Sequence, residues 1–409
     1  MDLLAAQATD ERQRAQQIDA IKAMLLYPDG DQAKAPCVDI RNVETILGQD
    51  PHFRYRLSFN EFKGCLWWED RQFRDKDLTL IRLQMLHTYR QKVSTRELAE
   101  LVQLMAEDNP IHPVREYLTQ LKWDGKPRLD DLLERYAGAE PAPVNRVLGR
   151  RWMISAVARV MEPGCKVDTV LILAGPQGFG KSTFFKTLAG PQWFRDDALD
   201  IRNKDAAMQI RGAWLYELAE LASTRIRDSD TVKAFISRST DHYRPPYARF
   251  VIEEPRQSIF CGTTNEASFL NDPTGARRFW PVHVQTLPDL KALQRDRDQL
   301  WAEAFEALMQ QERWWLELNE DRMLKEHQER YQSRDPWHEV VAAWLEKHAG
   351  EVTTAQLLDF AIELPKDRRT KAHQMRLGGI LASLGYEKSR RRDCGKRRVV
   401  WVKSQVDAP

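Results

Sequence analysis

The apolar positions change period along the chain, and the changes divide it. In the first third they recur at helical spacing. Leu98, Leu101, Val102 and Met105 follow Ser94-Thr-Arg-Glu97, a capping box whose side chains satisfy each other's backbone N–H groups. Asn109-Pro-Ile-His-Pro-Val114 stops that helix, a second spans Val114–Leu121, and the turn in Trp123-Asp-Gly125 hands over to Arg128–Tyr136. Residues 38–137 therefore read as a small, mainly helical domain with Trp123 and the other aromatics as core, behind a flexible segment 1–37. Gly138-Ala-Glu-Pro-Ala-Pro143 reads as an inter-domain linker.

Beyond it the pattern changes. A helix Leu148–Val160 ends at Pro163-Gly164, and Thr169-Val-Leu-Ile-Leu-Ala174 is apolar at nearly every position before it stops at glycine. Such a run predicts a parallel strand buried on both faces. Further strands are expected at Ala213–Tyr216 and Ser258–Gly262, alternating with helical segments such as Thr231–Ser237 up to about residue 285. That alternation is the mark of an α/β domain with a parallel sheet, over 145–290. Trp301, Phe305, Leu308 and Trp315 give a helical connector, 291–335, whose apolar residues serve packing. In 336–409, Thr353 caps a helix Thr354–Glu363, Gln374–Leu384 forms another, and Tyr386–Arg390 and Arg397–Val402 flank the turn Asp393-Cys-Gly395. Helices followed by a hairpin predict a winged-helix-like domain.

Composition narrows the class. With 409 residues, 42% hydrophobic and 30% charged, the chain suits two or three soluble domains. A net charge of +2 means that any nucleic-acid footprint is local. Cys37, Cys65, Cys165, Cys261 and Cys394 are scattered, without a C-x-x-C pair; this argues against a disulfide framework or structural zinc and for the reducing cytoplasm. No run of eighteen apolar residues and no signal-peptide core occur, so no membrane role is expected.

The chemistry concentrates after the buried strand. Gly175-Pro-Gln-Gly-Phe-Gly-Lys-Ser-Thr183 fits G-x-x-x-x-G-K-[ST] and opens a helix. Glycines let the backbone wrap a phosphate, the helix start adds positive potential, Lys181 can reach β- and γ-phosphates, and the Ser182 hydroxyl can sit on Mg²⁺. Gly175, Gln177, Gly178, Gly180, Lys181, Ser182 and Thr183 are thus the candidate nucleotide-binding positions. Glu217 ends the next strand, with Glu220 one turn on. A carboxylate there can hold Mg²⁺ or orient water, or both can be solvated helix-face residues. Asn265, at the tip of Ser258–Gly262, can position water. Arg277 and Arg278 follow the tight turn Asp272–Gly275, suited to cancelling transition-state charge or to binding acidic surface.

Two regions suit nucleic acid. One carries Lys233 and then His242, Arg244 and Arg249 among aromatics; it fits single-stranded nucleic acid or a hairpin packed on a neighbouring subunit. The other is the C-terminal hairpin, where Lys388, Arg390, Arg391, Arg392, Lys396, Arg397 and Arg398 face only Glu387 and Asp393, an excess that DNA phosphates explain.

Together Gly175–Thr183, Glu217-Leu-Ala-Glu220, Arg244-Pro-Pro-Tyr247, Gly262-Thr-Thr-Asn-Glu266 and Asp272-Pro-Thr-Gly-Ala-Arg-Arg-Phe-Trp-Pro281 resemble the virulence-associated protein E family. These are phage- and island-encoded ATPases similar to superfamily 3 helicases of the AAA+ class. The resemblance begins near Asn42, includes His112–Leu118 and Trp123–Gly125, and is dense from Pro163 to Val284. It implies a P-loop core with ATP and Mg²⁺ as cofactors. It also implies Lys181 and Ser182 as Walker A, Glu217 as Walker B, Asn265 as sensor 1, and Arg277 or Arg278 as an arginine finger. Walker B usually shows adjacent acids, whereas Glu217 and Glu220 are three apart, which leaves open which one activates water. The implied function is an ATP-driven helicase on single-stranded or forked DNA, acting as a homo-oligomeric, hexameric ring. A primase would be a separate protein. A DNA-binding ATPase switch is the alternative, and a small-molecule kinase would leave the basic hairpin without a role.

Overall fold

The computed structural model describes residues 2–203, 205–218, 230–245, 250–266, 270, 276–331, 336–348, 350–393 and 396–403, with backbone alone at 2–11, 230, 276, 392–393 and 396–398. It is a mixed α/β protein of two compact units, Met1–Ala267 with Thr274–Gln328, and Ser268–Pro273 with Glu329–Pro409. Among the described residues no helix is long and apolar enough to cross a membrane.

The first module of the larger unit combines helices Asp2–Met24, Ile40–Gln49, Asp75–Tyr89 and Thr95–Glu107 with four strands. These are β1 (Leu57–Asn60), β2 (Cys65–Trp68), β3 (Arg71–Gln72) and β4 (Pro110–Ile111), joined in the order β3-β2-β1-β4. The capping box forms, the Glu97 N–H donating to Ser94 Oγ at 3.2 Å, and Leu98, Leu101 and Val102 turn inward behind it. The module is less helical than its sequence suggests. Its strands are too short for an alternating pattern, and Cys65–Trp68 is half-buried at every position. Nor is the opening segment loose. Ile21 on its helix and Leu25 just after it enter the module's core, and Arg14 donates to the fully buried Asp50 at 2.8 Å.

Residues 113–137 pack elsewhere than expected. Val114, Leu118, Leu129, Leu132 and Tyr136 share the central core with Trp152 and Trp301, not the core of the first module. Trp123 is outside it, half-buried, its indole donating to Lys126 O at 3.1 Å to hold the turn.

The centre of the larger unit is a five-stranded parallel sheet. Its strands β5 (Val170–Ala174), β6 (Phe194–Arg195), β7 (Leu215–Glu217), β10 (Ile259–Thr264) and β11 (Phe279–His283) run in the order β11-β5-β10-β7-β6, while β8 (Thr240–Tyr243) and β9 (Ile252–Pro255) pair as a separate antiparallel hairpin. All five residues of β5 are buried, as an unbroken apolar run requires. The helices Pro143–Met161, Lys181–Ala189 and Leu290–Met309 pack on one another around it. Buried indoles tie these layers together: Trp214 donates to Ala156 O at 2.8 Å and Trp301 to Leu188 O at 2.9 Å, with the two rings 4.0 Å apart.

The helices Leu290–Met309 and Leu318–Gln328 are therefore part of this core, with Trp301 and Leu308 buried but Trp315 51% exposed. Residues 138–143 are not a free linker. Gln285 and Thr286 donate their N–H groups to Gly138 O, Ala139 bridges Val284, and the Glu140 N–H donates to His283 O. Gly138 has φ +72°, and a Cβ there would stand 2.3 Å from Thr286 O, so the strap requires glycine.

The smaller unit holds helix Pro336–Lys347, a Thr353-capped turn entering Leu357–Ala361, helix Lys371–Ser383, and the antiparallel hairpin of β12 (Tyr386–Asp393) and β13 (Lys396–Lys403). Val352 bridges Trp401 and adds to the hairpin edge. Val341, Leu357, Leu358, Leu377, Leu381 and Tyr386 form its core.

Candidate active site

In an open parallel sheet ligands are met at the carboxyl ends of the strands. Here β5, β7 and β10 end side by side and deliver the candidate residues to one edge. The loop after β5 takes positive φ at Gly178 (+84°) and Gly180 (+77°), where residues with side chains rarely go, and Gly180 caps helix Lys181–Ala189. A Cβ on Gly175 would come within 2.7 Å of Val284 O. Gln177, Gly178, Ser182 and Thr183 are exposed along the loop and first turn.

Lys181 is only 6% exposed, and its ammonium donates to Gly175 O (2.7 Å), Pro176 O (2.8 Å) and Asn265 Oδ1 (2.9 Å). Burial pushes this ammonium below its ordinary pKa range, and the Glu217 charge partly offsets the shift. Glu217 is 2% exposed. Its Oε1 accepts from Ser182 Oγ at 2.8 Å and Thr263 Oγ1 at 2.6 Å, whereas Oε2 is buried with no hydrogen-bond partner. A buried carboxylate oxygen left unsatisfied is costly, and among the described residues no other carboxylate oxygen is so left. Mg²⁺ is typically held by one or two carboxylates together with substrate phosphates, and Ser182 with Glu217 supplies that kind of protein share.

Thr263 escaped sequence reasoning. Its one signal is its place two residues before Asn265, which on an extended chain puts both on the same face. Glu220 and Arg249 lie outside the described residues, as do the turn at 272–275, Tyr247 and the hairpin tip at 394–395.

The arginine pair is not at this edge. In the parallel register Phe279 is opposite Val170 and His283 opposite Ala174, so Arg277 and Arg278 precede β11 at the sheet's other end. Arg278 Nε donates to Ser237 Oγ at 3.0 Å. Arg277 is exposed in a cleft of about 430 Å³ that it shares with Lys166, Asp168, Trp280, Trp314 and Trp315.

The nucleic-acid candidates fall on different elements. Lys233 is half-buried on helix Asp230–Ile236; His242 and Arg244 are exposed on and just after β8, with His242 Nδ1 3.6 Å from Glu253 Oε1. In the smaller unit Lys388, Arg390 and Arg391 are exposed on β12, and Arg391 pairs with Glu351 at 2.5 Å. Lys396, Arg397 and Arg398 lie on β13, with Arg391 opposite Arg398 and Arg392 opposite Arg397.

Comparison with known proteins adds a family. The virulence-associated protein E-like domain matches residues 118–333. No curated protein matches the chain. Among solved structures, the apo C-terminal region (305–718) of NrS-1 is similar at 12% identity and TM-score 0.49, covering 85% of this chain and 96% of that one. Its A form is similar at 13% identity and TM-score 0.43, with the same coverage.

Proposed function

The chain belongs to the virulence-associated protein E-like family, and from that premise we propose that it is an ATP- and Mg²⁺-dependent DNA helicase or translocase acting in the replication of a phage or other mobile element. In this reading β5–β11 are a P-loop ATPase core, the smaller unit is a winged-helix DNA-binding domain, and hydrolysis takes place between subunits of a hexameric ring.

The observation that carries the proposal is the meeting of Lys181, Ser182, Glu217, Thr263 and Asn265 at one sheet edge, with Glu217 Oε2 left over. The loop N–H groups and the start of helix Lys181–Ala189 bind phosphate oxygens, and Lys181 adds a full positive charge. Bound Mg²⁺ would supply charge neutralisation between the β- and γ-phosphates. Ser182 and Glu217 are the residues that would hold it. Glu217 Oε2 is the atom free to take a water proton or orient the water, and Asn265 fixes the Lys181 ammonium. Arg277 is separated from its own loop by the length of β5, roughly 16 Å of strand, which supports action on a neighbour's site. Of the two arginines, Arg278 is engaged by Ser237, so Arg277 is the finger. On the hairpin, arginines opposite each other in register repel, and phosphates between them relieve that repulsion.

The experiment is hydrolysis and strand displacement on forked DNA. DNA-stimulated hydrolysis with displacement is expected. Stimulated hydrolysis without displacement supports the ATPase switch instead, and no hydrolysis with or without DNA refutes both.

A further inference from the structure

Helix Asp75–Tyr89 turns Ile81, Met85 and Tyr89 into the core of the first module, yet its outer side is not the polar face that a surface helix normally shows. Leu80, Leu83 and Leu86 are 57%, 46% and 41% exposed there. Spaced by three, they stand in a row rather than singly, and Lys76 and Arg90, four residues outside the first and the last, close the row at either end. These cations are available. Among the described residues Lys76 has no ion pair, and Arg82 and Arg90 donate only to the neutral oxygens Thr95 Oγ1 and Ala33 O. The helix's own acids do not offset them. Asp77 is buried and taken by Arg71 through bonds of 2.7 and 2.8 Å, which leaves Asp75 in the first turn. Beside Leu80 opens a cleft of about 400 Å³ walled by His52, Arg56, Trp68, Ile81 and Gln84.

We propose that this face docks a helical segment of another protein, acidic at its two ends and apolar between them, with one large apolar side chain seated in the cleft. From Lys76 to Arg90 the row runs about 21 Å at about 1.5 Å per residue, so about four turns of a partner helix cover it. Leucines at this spacing form a ridge against which the apolar side of such a helix packs. Carboxylates at its ends meet Lys76 and Arg90, which steers the encounter and disfavours basic or neutral competitors. The same chemistry argues against other occupants. A second copy of this helix laid antiparallel would match leucines about Leu83 but set each Lys76 against an Arg90, and laid parallel it would set like against like. A nucleic acid would satisfy the cations but leave the leucines against water or phosphate. None of these residues belongs to the candidate active site, so the proposal stands or falls apart from the function proposed above.

The test selects displayed random peptides of about sixteen residues, enough for the four turns, on the full chain after depletion on Leu80→Ser/Leu83→Ser. Enriched peptides are then labelled and titrated by anisotropy over a salt series. Both leucines are exposed, so the depleting variant is expected to fold with its melting temperature unchanged or raised. Lys76→Gln/Arg90→Gln, also at exposed positions, is the second probe. Enriched peptides should carry net negative charge and apolar residues three or four apart. Their binding should fall at least about tenfold in the leucine variant. In the charge variant it should fall about tenfold at low salt, and the difference should shrink as salt rises. No enrichment over the depleted pool, enrichment without an acidic bias, or unchanged binding in either variant overturns the proposal. So does a smaller assembly in sedimentation of the leucine variant, which makes a second copy the occupant. Loss of DNA binding in the leucine variant overturns it as well, by giving the face to nucleic acid.

Discussion

The separation of Arg277 from the phosphate loop gives the sharpest prediction. In the register of β5 with β11 the two lie beyond opposite ends of the strands, roughly 16 Å of backbone apart before either is left. No arginine side chain covers that distance, so a guanidinium at 277 acts on a different subunit or not at all. Arg277→Ala should bind ATP normally and lose about 10³–10⁵ in hydrolysis, the range over which such arginines act. Lys181→Ala should also be inactive, because it removes the charge that meets the phosphates. The two inactive proteins should rescue each other. A productive interface takes its loop from the arginine variant and its arginine from the lysine variant. In an equimolar, fully exchanged head-to-tail ring about a quarter of the interfaces meet both conditions, whatever the ring size. Steady-state ATPase across mixing ratios should therefore trace a bell peaking at equal amounts, near a quarter of the activity of the unsubstituted protein. Exchange is checked by energy transfer between labelled subunits. Demonstrated exchange with a flat, inactive mixture would refute the trans assignment. Full activity in Arg277→Ala alone would remove Arg277 from the chemistry.

Three further outcomes follow from particular contacts. Glu217→Gln keeps an oxygen that can accept from Ser182 and Thr263, so nucleotide affinity should stay within about threefold while hydrolysis falls by at least about a hundredfold; equal loss of both would make Glu217 structural. Removing Lys388 or Arg390 should lower the slope of log affinity against log salt by roughly 0.7–0.9 each, and removing Arg391 by less, because Glu351 already engages it; an unchanged slope for the first two would assign the hairpin to another partner. In the first module, burial pushes the Asp50 carboxyl up, but hydrogen bonds from Arg14, the His52 N–H and Tyr89 outweigh it and hold it below the usual carboxylate range. That stabilisation is present above the unfolded carboxylate pKa and is lost as pH falls through the folded one. Arg14→Ala should therefore cost about 1–3 kcal/mol and move acid unfolding of the module to higher pH; an unmoved acid midpoint would make the pair incidental.

The glycine loop 175–180 was legible as a turn into a helix because its glycines take φ that other residues avoid, and the strand before it because burial on both faces leaves an unbroken apolar run. Glu217 and Asn265 were legible as polar residues at strand ends. What stayed hidden depends on distant pairings. The strap at 138–142 has the composition of a linker, and only its bonds to 283–286, far along the chain, make it structural. Trp315 was read as packing by extending the helical spacing of Trp301, but that helix ends at Met309 and the period does not carry across. Helix Lys371–Ser383 starts three residues before the expected Gln374 because its capping partner to Thr370 is His373, outside the usual acidic or amide pattern. The place of Arg277 at the far end of the sheet followed only once β11 was known to run parallel beside β5.

The two indoles, tilted by 30° with ring centroids 4.0 Å apart, have a use as an optical reporter. Trp301 hangs by its N–H from Leu188, in the last turn of the helix that begins at Lys181. Any tilt of that helix, such as the proposed grip on phosphate at its other end would produce, also tilts one ring of the pair against the other. Indoles this close couple their transitions, so the near-ultraviolet dichroism of the pair records the angle between them. Under the proposed function, nucleotide binding would then be readable by light in the unlabelled protein. Trp214→Phe, which keeps an aromatic ring but breaks the coupling, serves as the blank.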